Sequence, residues 1–320
     1  MNKEELVHLA GDIIRKTGFE SAREIYSAGY YSDSKARDII FSGFFNGKKA
    51  VLKVYDDPRV TCEPKYLAYF LTHNTSTILT APALYASEVI SSHRGWLIMQ
   101  YVEQGDTFRS PLSPDARKKF LELFHEYRNA FPYDPPEGMR DEGFVRPIEF
   151  YSQRLRRWAE AAPNARAAEE LLHRYGPALS AIREAYSNRR MIWCHGHFKP
   201  KEIFCPPDED MYYLTDFAHV NMFPEGYEFA FIIWADMMMD NDWSMEYEPW
   251  RQGIEDWLED MRPVAARLGI ADFDSLLRAA LAERCLGSLL VDIPSSRHTE
   301  AEKRLRRFHI NRLLQELLES

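Results

Sequence analysis

The chain predicts an α+β fold in two lobes, a small antiparallel sheet followed by a larger helical part. Three observations predict it. Short β-branched and aromatic runs crowd the first third of the 320 residues. Helical periodicity dominates beyond Gly105, and one short strand-rich stretch interrupts the helices between about residues 190 and 216. At 45% hydrophobic, the chain can bury a core of that size.

The elements follow in order. Leu6, Leu9, Ile13 and Ile14 recur at helical spacing and predict a leading helix. Between about residues 22 and 55 come Glu24-Ile25-Tyr26, the run from Asp38 to Phe45, and Ala50 to Tyr55, which read as three antiparallel strands. Asn46-Gly47 between the last two is a strong two-residue hairpin signal. A helix is expected from Cys62 to Thr72, with Leu67, Phe70 and Leu71 on one apolar face, and two more strands near residues 83–91 and 96–102. The first lobe is thus residues 1–103: leading helix, five-stranded antiparallel sheet and one helix. The second, residues 104–320, holds helices near residues 113–131, 147–162, 165–187, 224–239, 246–268, 273–290 and 300–318. Ser113-Pro114 and Asp272 read as helix starts.

Composition excludes several classes. Acidic side chains outnumber basic ones by 49 to 40, which disfavours general attraction to nucleic acid and fits a cationic small substrate better. Cys62, Cys194, Cys205 and Cys285 lack CxxC spacing, so reduced thiols in a cytoplasmic setting are expected. The polar start Met1 to Glu5 does not read as a signal peptide. The apolar window Phe229 to Met239 is about half a bilayer span and contains Asp236, so it reads as a buried helix and no membrane association is expected.

The chemistry concentrates in the run Cys194-His195-Gly196-His197-Phe198-Lys199-Pro200-Lys201-Glu202-Ile203-Phe204 and in Asp216-Phe217 beyond it. Asp216 ends the run Met211 to Thr215, where a carboxylate at a buried strand end is costly unless it binds metal or is hydrogen-bonded. Lys53 is a single cation inside the apolar strand Val51 to Val54, and Pro224-Glu225-Gly226-Tyr227-Glu228-Phe229-Ala230 follows downstream. Over about residues 20–240 this order and spacing resembles the aminoglycoside phosphotransferase and choline kinase family, which has a bilobal protein-kinase-like fold. That family usually reads HGDxxxxN and then a hydrophobic strand ending in Asp. Here His197 stands in place of the catalytic Asp and Glu202 in place of the metal-binding Asn, so the catalytic loop is degenerate.

The resemblance implies a role for each part. Lys53 would contact nucleotide phosphates and Glu63 would partner it, although a snorkelling lysine and a carboxylate favoured by the helix dipole look the same. Ser32 and Ser34 lie in the turn after the first strand, where the family covers the phosphates; a plain polar hairpin turn has the same letters. Gln100 and Val102 would meet the base with backbone groups. Glu202 and Asp216 would hold Mg²⁺ beside ATP or GTP, and Glu228 would brace the loop. Lys199 would compensate phosphate charge or face water. His197 can accept a proton when neutral but cannot supply negative charge.

The function this resemblance implies is an ATP-dependent phosphotransferase acting on a hydroxyl of a small molecule. The alternative is a pseudokinase that binds nucleotide or a protein partner without phosphoryl transfer. A third reading makes His195, His197, Glu202 and Asp216 a metal site of another kind. The segment containing Trp234, Asp236, Asp240, Asp242, Trp243, Trp250 and Trp257 reads either as a wall for an ammonium group or as core.

Overall fold

The computed structural model describes residues 1–29, 36–132, 134–135, 137, 146–207 and 209–319, with only the backbone described at residues 28, 29 and 36. These residues form two compact units, residues 1–106 with 202–220, and residues 107–201 with 221–320. The sequence division places one boundary at residues 103–104; in the structure the segment Glu202 to Val220 groups with the first unit. Backbone pairing explains this membership, as described below.

In the first unit, helix α1 (Lys3–Thr17) is closed at its start by a capping box between Asn2 and Glu5 and at its end by Gly18. Strands β1 (Glu20–Gly29), β2 (Ala36–Phe45) and β3 (Lys48–Asp56) follow as antiparallel neighbours. Asn46 and Gly47 both take positive φ, 50° and 74°, the backbone that a tight hairpin between right-twisted strands demands. Helix α2 (Glu63–His73), the short strand β4 (Leu79–Thr80) and strands β5 (Leu84–Ser91) and β6 (Arg94–Gln100) complete the run, with the sheet order β1-β2-β3-β6-β5.

The two-residue period of β3 sorts its side chains. Ala50, Leu52 and Val54 are fully buried with Leu6, Ala10 and Ile13 of α1 and with Ile39, Phe41, Trp96 and Ile98 of the sheet. Burying aliphatic side chains such as Leu52 and Val54 contributes about 2 kcal/mol each. Lys53 and Tyr55 therefore point to the opposite face.

Two further strands of this unit come from far along the chain. β7 (Met191–Cys194) belongs to the second unit, but β8 (Ile203–Phe204) and β9 (Tyr212–Leu214) form a small sheet with β4 in the order β4-β9-β8. β9 runs parallel to β4, with Leu79 opposite Tyr212, and the Cys205 amide donates to the Gln104 carbonyl at 3.0 Å.

In the second unit, β7 pairs antiparallel with β10 (Asn221–Pro224). Helix α3 (Pro114–Ala130) begins at Ser113, whose hydroxyl accepts from the Ala116 amide. Helices α4 (Pro147–Ala161), α5 (Ala165–Arg174), α6 (Gly176–Tyr186), α7 (Tyr227–Ile233), α8 (Tyr247–Arg267), α9 (Phe273–Gly287), α10 (Ile293–Ser295) and α11 (Glu300–Glu319) make up the rest. Two π-helical stretches, Trp234–Met239 and Ser288–Asp292, continue α7 and α9.

One expectation is corrected. The helix predicted over 165–187 is two helices, because Gly176-Pro177 starts a new one: proline fits a first turn and breaks an interior. Asp272 stands at the N-cap of α9, where the sequence reading starts that helix, but at φ 49° its side chain makes no capping hydrogen bond and lies 3.5 Å from Arg189.

The second unit's core is aromatic. Phe120, Phe124 and Tyr127, on one face of α3, surround Phe198, with ring centroids 4.8 to 5.4 Å away. No described helix is long and apolar enough to cross a membrane.

Candidate active site

Lys53 lies on the α2 face of the sheet with only 5% of its surface exposed. Its ammonium is 2.7 Å from Glu63 Oε2 and 3.8 Å from Asp216 Oδ1. Burial alone would lower the lysine pKa, but Glu63, Asp216 and Asp38 together outweigh it and hold Lys53 charged. Glu63 is buried at the first turn of α2, and burial pushes its carboxyl up while Lys53 pulls it back.

Helix α2 positions both ends of this arrangement. Its first residue is Glu63, and its Phe70 packs against Phe217, with ring centroids 5.2 Å apart. Phe217 follows Asp216, which sits in the left-handed region at φ 62°, ψ 57°. A non-glycine residue there costs roughly 1–2 kcal/mol. The left-handed backbone at Asp216 takes the chain out of β9 and into the turn Phe217–His219.

His219 closes that turn, with Nε2 at 3.7 Å from Asp216 Oδ2. Burial lowers its pKa to about 4, and Arg37, Arg59 and Lys53 add to the effect against the pull of Asp216. The imidazole is neutral at pH 7. Asp216 thus has Lys53 beside one oxygen and His219 beside the other.

Glu202 is held from the neighbouring strand. Thr215 donates its amide to the Glu202 carbonyl at 2.9 Å and its hydroxyl to Oε2 at 3.0 Å. Ile203 lies opposite Leu214, so the two metal-type carboxylates are carried by adjacent strand ends.

A second cationic group flanks these residues. Arg37 Nε is 2.9 Å from Asp38 and 3.9 Å from Asp57, and Asp57 also holds Arg59 through Nη2 at 2.7 Å. Burial disfavours the Arg37 charge, while Asp38, Asp216 and Asp57 favour it and win.

Gln100 ends β6, and its amide donates to the Ala83 carbonyl at 2.8 Å; Val102 follows as a buried residue. Ser32 and Ser34 lie outside the described residues.

In the second unit, the loop after β7 is fixed by α3. The His195 amide donates to the Tyr127 hydroxyl at 2.6 Å, and the His195 ring lies edge-on to Tyr127. Glu228 is buried 3.5 Å from Arg128; burial pushes its carboxyl up, while Arg128 and hydrogen bonds from Tyr127 and Cys194 pull it down. Gly226 opens α7 at φ 85°, where a Cβ would stand 2.0 Å from Leu276 Cδ2. His197 stacks on Phe231 at 5.0 Å, Lys199 is half-buried, and Lys201 pairs with Asp240.

Of the carboxylate and aromatic wall, most is core. Trp250 and Trp257 are fully buried, and Trp257 donates to Asp236 at 2.8 Å. Trp243 is buried and stacks on His298 at 3.9 Å.

Among solved structures, the chain is similar to three phosphotransferases over nearly its whole length. One is a thermostable mutant of aminoglycoside phosphotransferase APH(4)-Ia in ternary complex with ADP and hygromycin B, with TM-score 0.61 and 14% identity, covering 95% of this chain and 97% of that one. Another is the microcompartment-associated aminopropanol kinase, with TM-score 0.65 and 14% identity, covering 97% and 96%. The third is spectinomycin phosphotransferase APH(9)-Ia in complex with ADP and spectinomycin, with TM-score 0.54 and 11% identity, covering 98% and 96%.

The fold is that of the aminoglycoside phosphotransferases. No family model and no curated protein matches the chain. At these identities the kinship is one of fold, and the chemistry rests on this chain's own residues.

Sequence reasoning missed His219, Arg37, Asp57 and Arg59. The only signal for His219 was a second metal-type side chain three residues beyond Asp216, a spacing that a tight turn closes. For Arg37 the signal was Arg37-Asp38 at the start of a strand.

Proposed function

We propose that this chain binds a nucleoside triphosphate with a divalent cation on its first unit and transfers a phosphoryl group to a hydroxyl of a small molecule. One observation carries the reading: a buried, charged Lys53 lies within reach of Glu63 and Asp216 at once. Structural ion pairs are common, but this one joins a strand, a helix start and a strained turn 163 residues further along the chain.

The donors fit a divalent cation. Asp216 and Glu202 offer carboxylate oxygens, the ligand type that magnesium prefers, and Thr215 orients Glu202. A bound cation would neutralise phosphate charge, and Lys53 and Arg37 would hold the phosphates from the protein side. Glu63 keeps the Lys53 ammonium in place. On the loop that resembles the family's catalytic loop, we assign His197 as acceptor of the substrate proton and Lys199 as a compensating charge. Tyr127 and Glu228 would keep that loop rigid.

A nucleotide-binding pseudokinase is the second reading. It is favoured by the histidine at 197, whose ring is stacked on Phe231 and brings no negative charge.

Thermal shift with ATP and Mg²⁺ or Mn²⁺ tests the binding step, since a specific ligand at 100 times its Kd adds about 2.7 kcal/mol. A screen of amino alcohols, amino sugars and nucleosides for ADP release then separates kinase from pseudokinase. No shift with any nucleotide and either metal would overturn both readings.

A further inference from the structure

We infer that His219 is a nitrogen ligand to the same divalent cation as Asp216, so that this site takes manganese, cobalt or zinc in preference to magnesium. The inference rests on the reading of Asp216 as a metal residue and goes beyond it. In the family resemblance, the cation is held by oxygen ligands alone.

Geometry carries it. The facing atoms, His219 Nε2 and Asp216 Oδ2, are 3.7 Å apart. One first-row cation can bridge that span, because each bond to nitrogen or carboxylate oxygen is about 2.1 Å. The other oxygen of Asp216 faces Lys53 at 3.8 Å, so the lysine and the imidazole approach from different sides. The short helical turn Phe217–His219 brings the imidazole back onto the carboxylate, and Phe217 anchors that turn against Phe70. Both side chains keep a fraction of their surface exposed, 16% for His219 and 19% for Asp216, which leaves an ion a way in.

Chemistry gives the selectivity. Magnesium strongly prefers oxygen donors, zinc and cobalt take imidazole readily, and manganese, although it also favours oxygen, tolerates a nitrogen ligand better than magnesium does. A mixed nitrogen and carboxylate pair therefore shifts preference along the first-row series. Glu202, held by Thr215 beside the strand end that carries Asp216, supplies a further oxygen without changing that bias.

The test is pulsed electron paramagnetic resonance on the full chain loaded with Mn²⁺, with and without a non-hydrolysable ATP analogue. The expected result is a coupling from a directly bound nitrogen in the native protein. In His219→Gln the coupling should vanish while Mn²⁺ still binds. The ratio of Mn²⁺ to Mg²⁺ affinity, measured by calorimetry, should fall at least roughly tenfold, the low end for loss of even an outer-shell partner. His219→Asn serves if the first variant does not fold. Mn²⁺ bound without nitrogen coupling, or a coupling that survives both substitutions, overturns the role of His219 and leaves the phosphotransferase reading standing. Failure of both metals to bind, with or without nucleotide, overturns the inference together with the metal assignment of Asp216.

Discussion

Thr215 holds Glu202 through its amide, which donates to the backbone carbonyl at 2.9 Å, and through its hydroxyl, which is shared between that carbonyl at 3.1 Å and the side-chain Oε2 at 3.0 Å. The side-chain bond fixes one carboxylate oxygen at the strand end next to Asp216. Thr215→Val keeps shape and strand propensity but removes the donor, so metal–nucleotide affinity should fall by roughly tenfold, with little change in melting temperature. Thr215→Ser should restore it. Calorimetric titration of each variant with Mn²⁺ and an ATP analogue checks this, and equal affinities in the Val variant would show that Glu202 is not a ligand.

The Lys53–Glu63 pair predicts a pH-dependent stability effect. Lys53→Met leaves a carboxyl buried without its cation, and breaking such a pair costs about 3 kcal/mol or more. Burial already pushes the Glu63 carboxyl above its ordinary range. With Lys53 gone it takes a proton more readily, so the variant should lose more stability at pH 8 than at pH 6. Adding Glu63→Gln should recover most of the loss at pH 8. Urea unfolding at both values measures it, and the idea fails if the loss is the same at each pH.

Substitutions at Asp216 test its backbone strain and its proposed metal role separately. Its left-handed backbone suits asparagine or glycine better than alanine. Asp216→Asn should fold with near-native stability and lose metal binding, whereas Asp216→Ala should lose metal binding and about 1 kcal/mol of stability. Melting curves compared with Mn²⁺ titrations would show whether strain and metal binding part in this way.

His309 is 1% exposed and stacks on Trp250 at 5.4 Å. Burial, with Arg306 and Arg312, lowers its pKa to about 4 from an ordinary value of 6.5. Between those values the unfolded chain holds a proton that the folded chain refuses. Stability should therefore fall as pH drops from 6.5 toward 4, by up to about 1.4 kcal/mol per pH unit from this group. His309→Phe keeps the stack and removes the titration, so its stability should change less between pH 7 and 5. Parallel slopes for the two proteins would exclude His309 as the source.

The parts of the site that could be read from letters are those that break a strong local pattern. Lys53 stands out because it interrupts an apolar strand, and Asp216 because it ends one. The fold class is legible for the same reason: hydrophobic periods of two and then of 3.6 residues are long and regular here. β4 was not legible, since two residues carry no period and its partner lies beyond residue 210. Arg37 and His219 look like ordinary surface residues until a strand register and a strained turn bring them to Asp216. The aromatic segment after Trp234 shows the converse. Its letters fit a recognition surface, yet Trp250 and Trp257 are core because α8 turns that face inward.

The parallel pairing of β4 with β9 has a consequence for biosynthesis. The first unit draws on residues 1–106 and on 202–220, so it cannot complete itself on the ribosome until more than half of the chain has emerged. Until then the edge at Leu79–Thr80 waits unpaired, and unpaired edges invite association between nascent chains. Closure across more than 130 residues is also a slow, non-local event. Lys53 and Asp216 stand 163 residues apart in the chain, so their ion pair can form only after the segment carrying β9 has been made.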